Sequence, residues 1–258
     1  MSIIKIKIFL DFGHGGSDSG AVSGALIEKA MNLITGLECK NILEQYDIEV
    51  MTSRDIDKTV SLAERVRMAN EWGADYFISI HYNAGGGDRG EVIHSIYRNK
   101  GLALANSIAA AMKSLGQNTI KIYEKRGQDN KDYYYVIKNT RMDAVIVEGG
   151  FIDNAVDRQL FDTVDEQKAM GRTIAYGILN HLGIAIRQSN LQQNIQYGTV
   201  TATELNVRAG RGTNYDIWDT LKSGAKVELG ELRDGWYLVY YNNGKASGYA
   251  SAKYIKKD

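Results

Sequence analysis

The chain has 258 residues, which fits one to two domains. It is 44% hydrophobic and 24% charged, so wholesale disorder and collagen-like order are excluded, and no run of about 18 apolar residues is present to span a membrane. Lys+Arg and Asp+Glu number 31 each, a balance that marks no nucleic-acid binder, and neither nucleic acid nor membrane is an expected partner. The single cysteine, Cys39, rules out an intramolecular disulfide framework and a Cys-rich zinc module. Proline is absent, so turns must be made by the 27 glycines and by Asn and Asp.

At the amino end, Ile4, Ile6, Ile8 and Leu10 recur at period two, which describes a strand. Lys5 and Lys7 break any continuous export-signal core. Synthesis is therefore expected to end in the cytoplasm, with action elsewhere only after release. From Ile3 to Ile184, short β-branched runs alternate with helical patterns. Predicted strands are Ile3–Asp11, Ile48–Thr52, Tyr76–Ile80, Glu91–Tyr97, Tyr133–Lys138 and Ala144–Val147. Predicted helices are Ile27–Gln45, Val60–Trp72, Leu102–Leu115 and Glu166–Leu182, the first with an apolar stripe of Ile27, Met31, Ile34 and Leu37. This alternation predicts an α/β domain over residues 1–186, a mainly parallel twisted sheet flanked by helices.

The pattern then changes. Arg187–Gln196 is polar and aperiodic and reads as a linker. Residues 197–258 hold only short alternating runs: Thr199–Thr203, Asn206–Arg208, Lys226–Leu232, Trp236–Tyr241 and Gly248–Ala250. Asn243-Gly244 is a two-residue hairpin signal. A small all-β barrel is expected there, with Val207, Trp236 and Val239 pointing inward.

Four groups with chemistry stand at predicted strand and helix ends. His14 lies in Asp11-Phe12-Gly13-His14-Gly15-Gly16 after the first strand, and Glu28 opens the first helix. His81 follows the strand Tyr76–Ile80, with Asn83 beyond it, and Glu148 follows Ala144–Val147. In an open parallel sheet these ends share one edge, where ligands bind. His, Glu and His make the three-ligand set of a catalytic zinc, and a non-ligand carboxylate would serve as its general base. A tight turn with a solvated His, a Gly-rich phosphate cradle and a paired structural Glu148 are competing readings, although GHGGSDSG lacks the Lys-Ser/Thr ending of a P-loop. His94 reads as a packed strand residue, His181 as a cation suited to a helix carboxyl end, and Cys39 as a buried small residue.

The blocks DFGHGGSDSGAVSG with LIEKAMNL, SLAERVRMANEWGADYFISIHYNA and RMDAVIVEGGFIDNAVD resemble, in order, the motifs of zinc-dependent N-acetylmuramoyl-L-alanine amidases over about residues 5–183. The resemblance implies Zn2+ held by His14, Glu28 and His81, with Glu148 as the catalytic carboxylate. It also implies cleavage of the amide joining the muramic-acid lactyl group to the stem-peptide L-alanine. One departure is Asp143, where the family usually has proline. Glu124–Asp132 with Tyr133–Tyr135 is expected to form a substrate wall, and Asn83, Arg126 and Tyr133 are candidate substrate contacts.

The tail, with LNVR, KSGAKVEL, DGWYLV and NGK in family order, resembles a bacterial SH3-like (SH3b) domain, with Tyr249 in place of the usual tryptophan. That resemblance implies binding to bacterial peptidoglycan, with Tyr215, Trp218 and Tyr241 as candidate surface aromatics. The combination resembles a phage endolysin. A host autolysin of the same chemistry, a zinc endopeptidase acting within the stem peptide and a catalytically silent wall-binding protein are the alternatives. No oligomeric state follows from the sequence.

Overall fold

The structure, a computed structural model, describes residues 5–97, 101–187, 196–242 and 246–258. It divides into two compact units: Met1–Asp162 with Glu166–Ile186, and Arg187–Asp258 with the short stretch Thr163–Asp165.

In the first unit β1 (Ile6–Phe12) leads through two two-residue strands, β2 (Val22–Ser23) and β3 (Leu26–Ile27), into helix α1 (Glu28–Leu43). Then come β4 (Ile48–Thr52), α2 (Leu62–Trp72), β5 (Tyr76–Asn83), β6 (Gly90–His94), α3 (Leu102–Leu115), β7 (Ile120–Glu124), α4 (Tyr135–Asn139), β8 (Asp143–Phe151) and α5 (Val164–His181). The six-stranded sheet has the order β4-β1-β5-β8-β6-β7. All its pairings are parallel except β6 against β8. β1 has both faces covered, and Ile8, Phe9, Leu10 and Phe12 are fully buried, which is why its apolar residues run together instead of alternating. The chain leaves β1 to one side toward β4 and crosses to the other side for β5. The carboxyl end of β1 is thus the switch point at which an open sheet offers a crevice.

Local signals explain the helices. Ser61 caps α2 by accepting the Glu64 N–H at 3.2 Å, and Gly73 closes it with φ of 71°. Helix α1 buries far more than the predicted stripe: Met31, Leu33, Ile34, Leu37, Cys39, Ile42 and Leu43 are covered, whereas Ile27 precedes the helix and is exposed. With no proline available, the non-glycine residues found at positive φ among those described are Asn130, Asn242, Asp234 and His14.

Several expectations are corrected. Tyr133–Lys138 is not a strand: Val136 and Ile137 bury side by side among Ala69, Phe77 and Ala144, and Thr140 bonds back to Val136 O at 2.7 Å. Tertiary burial there overrides the β preference of the tyrosines. The strand after Gly90 ends at His94 because Asp132 takes Ser95 Oγ and the Ile96 N–H, both at 2.7 Å. β7 was not expected from its short Ile-Lys-Ile run. Both β5 and β8 run past their predicted ends, so His81 and Glu148 lie within strands and not after them. Asp143 opens β8 in extended form, opposite Tyr76, without a proline to set it.

The second unit is a seven-stranded antiparallel sheet in the order β11-β10-β14-β13-β12-β9-β15, built from β9 (Gln196–Val200), β10 (Glu204–Arg208), β11 (Ile217–Lys222), β12 (Lys226–Arg233), β13 (Trp236–Tyr241), β14 (Ala246–Ser251) and β15 (Ile255–Lys257). The core holds Val207, Leu229, Tyr237, Val239 and Tyr241. Parity on β13 therefore puts Tyr237, not Trp236, on the Val239 face, and Trp236 is only partly buried. β11 and β15 were not expected. Most of the expected linker (188–195) and the Asn243-Gly244 turn lie outside the described residues. Gln196 opens β9, and the strands flanking that turn, β13 and β14, are antiparallel partners. No described helix is long and apolar enough to cross a membrane.

Candidate metal and catalytic site

β1 delivers its chain into Gly13-His14-Gly15-Gly16, where His14 takes a left-handed conformation with φ of 59°. For a residue with a Cβ this costs about 1–2 kcal/mol, so the surrounding structure must enforce it. The turn aims the imidazole at the first residue of α1. His14 Nε2 lies 3.2 Å from Glu28 Oε1, and Asp18 Oδ2 lies 2.8 Å from the other ring nitrogen, Nδ1. From β5, His81 Nδ1 reaches the same Glu28 oxygen at 2.9 Å. The two imidazoles meet edge to face with centroids 5.0 Å apart.

Glu28 is only 3% exposed. Its Oε2 accepts the Ala21 N–H at 2.9 Å, and its Oε1 accepts from Asn32 Nδ2 and the Tyr82 N–H, each at 3.3 Å. A carboxylate in the first turn of a helix also gains from the helix dipole. Two glycines make the room. A Cβ on Gly13 would stand 2.1 Å from the His81 ring, and one on Gly20 would stand 2.5 Å from Glu28 Oε2.

Burial alone would favour the neutral forms here, but the opposed charges win. In the metal-free chain Glu28 and Asp18 overcome desolvation and raise His14 to about 9. His81 is likewise raised by Glu28, and Glu28 is held well below the usual carboxylate range by both imidazoles. One atom each from His14, Glu28 and His81 lie within 4.8 Å of one another. Two imidazole nitrogens and one carboxylate oxygen converging on a half-buried point suit a tetrahedral ion with a fourth position free.

Glu148 stands beside this trio, its residue in register with His81 across the β5–β8 pair. It has a different character. Its Oε2 is shielded from solvent and has no hydrogen-bond partner among the described residues. Desolvation, reinforced by the charges of Glu28 and Glu91, outweighs the two imidazoles and raises Glu148 to about 7. One strand further on, Glu91 on β6 pairs directly with Glu148. Glu91 is 3% exposed and held by Arg89 at 2.6 Å and Tyr123 Oη at 3.1 Å. Sequence reading missed Glu91, Asp18 and Asn32. A charge opening the apolar run Glu91-Val92-Ile93, and a carboxylate four residues after His14, were the available signals.

The other candidates divide. Asn83 closes β5, its Oδ1 accepting the Ala84 N–H at 2.8 Å and its Nδ2 lying 3.5 Å from Glu91 Oε2, so it borders the site. Arg126 and Tyr133 sit on the exposed loop after β7, where Arg126 donates to Asn130 O at 3.0 Å and Lys125 Nζ lies 3.8 Å from the Tyr133 ring centre. No described contact joins them to the four central residues. In the second unit Trp218 is exposed, and Tyr215 is half-buried with its ring against Gly210. Tyr241 is corrected: it is buried in the core of the second unit, on the same face as Tyr237 and Val239, and is not a surface aromatic.

His94 is packed as expected, its Nδ1 2.8 Å from Ser95 O. His181 ends α5, but burial lowers its pKa and it stacks edge-on against Tyr76, which favours a neutral ring over a helix-end cation. Cys39 is fully buried with its thiol pushed up, so it is no nucleophile.

Known proteins place this architecture. Residues 203–256 match the bacterial SH3 domain. The chain is 38% identical over 192 residues to the N-acetylmuramoyl-L-alanine amidase CwlM of Bacillus licheniformis, covering 73% of this chain and 71% of that protein. It is 37% identical over 153 residues to the endolysin of Bacillus phage SPP1, covering 57% of this chain and 55% of that one. The catalytic domain of CwlV, an N-acetylmuramoyl-L-alanine amidase from Bacillus (Paenibacillus) polymyxa var. colistinus, superposes with a TM-score of 0.60 at 31% identity over 70% of this chain and 99% of that one. With residues 8–180 matching its family model, the chain belongs to the N-acetylmuramoyl-L-alanine amidase family.

Proposed function

We propose that the protein is a zinc-dependent peptidoglycan amidase of the cell-lysing, endolysin type, with residues 1–186 as its catalytic domain and residues 197–258 as a wall-binding barrel. Its substrate is the amide between the lactyl group of N-acetylmuramic acid and L-alanine. The observation that carries the mechanism is Glu148 Oε2, a buried acceptor with no partner, beside a His/Glu/His donor set.

His14, Glu28 and His81 would hold the zinc. Zinc bound there supplies Lewis-acid chemistry, polarising a carbonyl oxygen and making water more acidic. Glu148 takes a proton from the attacking water at its free oxygen. The water oxygen becomes part of the new lactyl carboxylate, the C–N bond breaks, and Glu148 returns the proton to the departing alanine nitrogen. Burial, which raises Glu148 to about 7 in the metal-free chain, favours its protonated form and so helps it hold the proton between the two steps. Asp18, on the far nitrogen of His14, fixes the tautomer that leaves Nε2 free to donate its lone pair.

Metal removal and restoration test the zinc assignment. Protein stripped by chelator should lose wall-lytic activity, and one equivalent of zinc per chain should restore it. Full activity in metal-free protein would end the reading.

A further inference from the structure

We infer that Arg54 and Arg65 form a buried clasp that positions His14 for metal binding; the inference rests on the metal reading above. These two guanidiniums are 1% and 3% exposed and take no part in the chemistry just described. Their donors converge on the turn that carries His14. Arg65 donates to Phe12 O at 2.7 Å and to His14 O at 2.8 Å. Arg54 donates to Phe12 O at 3.0 Å and to Gly13 O at 3.0 Å. Three successive carbonyls, Phe12, Gly13 and His14, are thus gripped from inside.

The clasp also spans two ligands. Arg54 Nη2, bonded to Gly13 O beside His14, lies 2.6 Å from Lys29 O, the carbonyl next after Glu28. One nitrogen therefore fixes the spacing between the β1 turn and the start of α1. Asn32 Nδ2 repeats this bridge, reaching Gly13 O at 3.1 Å and Glu28 Oε1 at 3.3 Å.

Two arguments favour positioning over plain stability. His14 sits at φ of 59°, a conformation that persists only where the surroundings over-determine it, and the clasp holds the carbonyls on both sides of that residue. Burying two guanidiniums is also a poor way to gain stability, since apolar packing of similar volume commonly does as well or better. Only the rigid, five-donor fork of arginine can hold several carbonyls in fixed relation; a lysine presents a single point charge.

The test uses the full-length chain loaded with Co2+ as a spectroscopic probe, together with zinc affinity from chelator competition. Arg65→Lys and Arg54→Lys keep the charge but lose the fork. Asp11→Asn serves as control: it removes the carboxylate that pairs with Arg65 but leaves the carbonyl contacts. We expect each lysine variant to bind zinc about 10–100-fold more weakly and to alter the visible Co2+ bands. Asp11→Asn should lower the melting temperature yet leave both readouts within about twofold. The inference is overturned by folded lysine variants with wild-type affinity and bands, by an equal loss in Asp11→Asn, or by failure of both lysine variants to fold while the control folds. Wild-type protein that binds neither metal would instead overturn the metal reading itself.

Discussion

His81 and Glu148 are register partners on adjacent parallel strands, yet one is bonded to Glu28 at 2.9 Å and the other keeps an oxygen with no partner among the described residues. Equivalent backbone positions one strand apart thus carry opposite chemistry. The ring is committed to a donor set, and the carboxylate keeps a shielded oxygen with no partner among the described residues. The division of roles proposed above follows from that asymmetry.

Glu148→Gln keeps the shape but cannot accept a proton. Hydrolysis of purified walls should slow about 10²–10⁴-fold, while zinc content measured by atomic absorption stays near one per chain. Loss of the metal with the activity would mean that Glu148 is a ligand.

Glu148 also predicts a pH-dependent stability in the chelated protein. Its folded value of about 7 lies above the ordinary 4.5, so between these pH values the folded chain holds a proton that the unfolded chain has released. Stability therefore falls as pH rises from about 4.5 to about 7 and stays lower above that, by at most on the order of 3 kcal/mol. Glu148→Gln removes this cost. In urea melts of metal-free protein the variant should be more stable than wild type at pH 8, with the gap narrowing at pH 5. A gap independent of pH would contradict the assignment.

Gly13→Ala places a methyl group 2.1 Å from the His81 ring, which must then move. Gly13 has no positive φ, so the backbone tolerates alanine and the damage should stay local. Zinc affinity by competition should fall about 10-fold or more, with an unchanged circular dichroism spectrum. Unaltered affinity would show that the ring has slack.

Residues 1–186 should cleave soluble muropeptides at close to the full-length rate but lyse intact walls more slowly, because a tethered enzyme works at a higher local concentration. Each unit has its own buried core, as independent folding requires. Equal co-sedimentation of the truncated and full-length chains with purified walls would remove the wall-binding role from the tail.

Much of this was legible in the residues. His14, Glu28, His81 and Glu148 were readable because strand and helix ends carry ligands in open sheets, and the structure gathers all four. Their strand positions were less legible, since the ladder continues through the polar His81 and Glu148 where an apolar run stops. The helix at Tyr135–Asn139 was hidden by β-prone tyrosines, and only the packing of Val136 and Ile137 decides it. Tyr241 and Trp236 failed for one reason: on a strand apolar nearly throughout, Trp236-Tyr237-Leu238-Val239-Tyr240-Tyr241, alternation gives no parity signal. Arg54 and Arg65 gave no signal, because nothing local in a sequence shows which carbonyls a guanidinium will find.

The central claim is metal-dependent cleavage of the muramoyl–L-alanine amide, and mass analysis of fragments from walls digested with and without chelator tests it most directly. The account predicts new free amino termini on L-alanine, matched by lactyl carboxylates on the glycan, in the metal-loaded digest only. New termini within the stem peptide, with the muramoyl–alanine amide intact, or release of L-alanine termini undiminished by chelator, would contradict it.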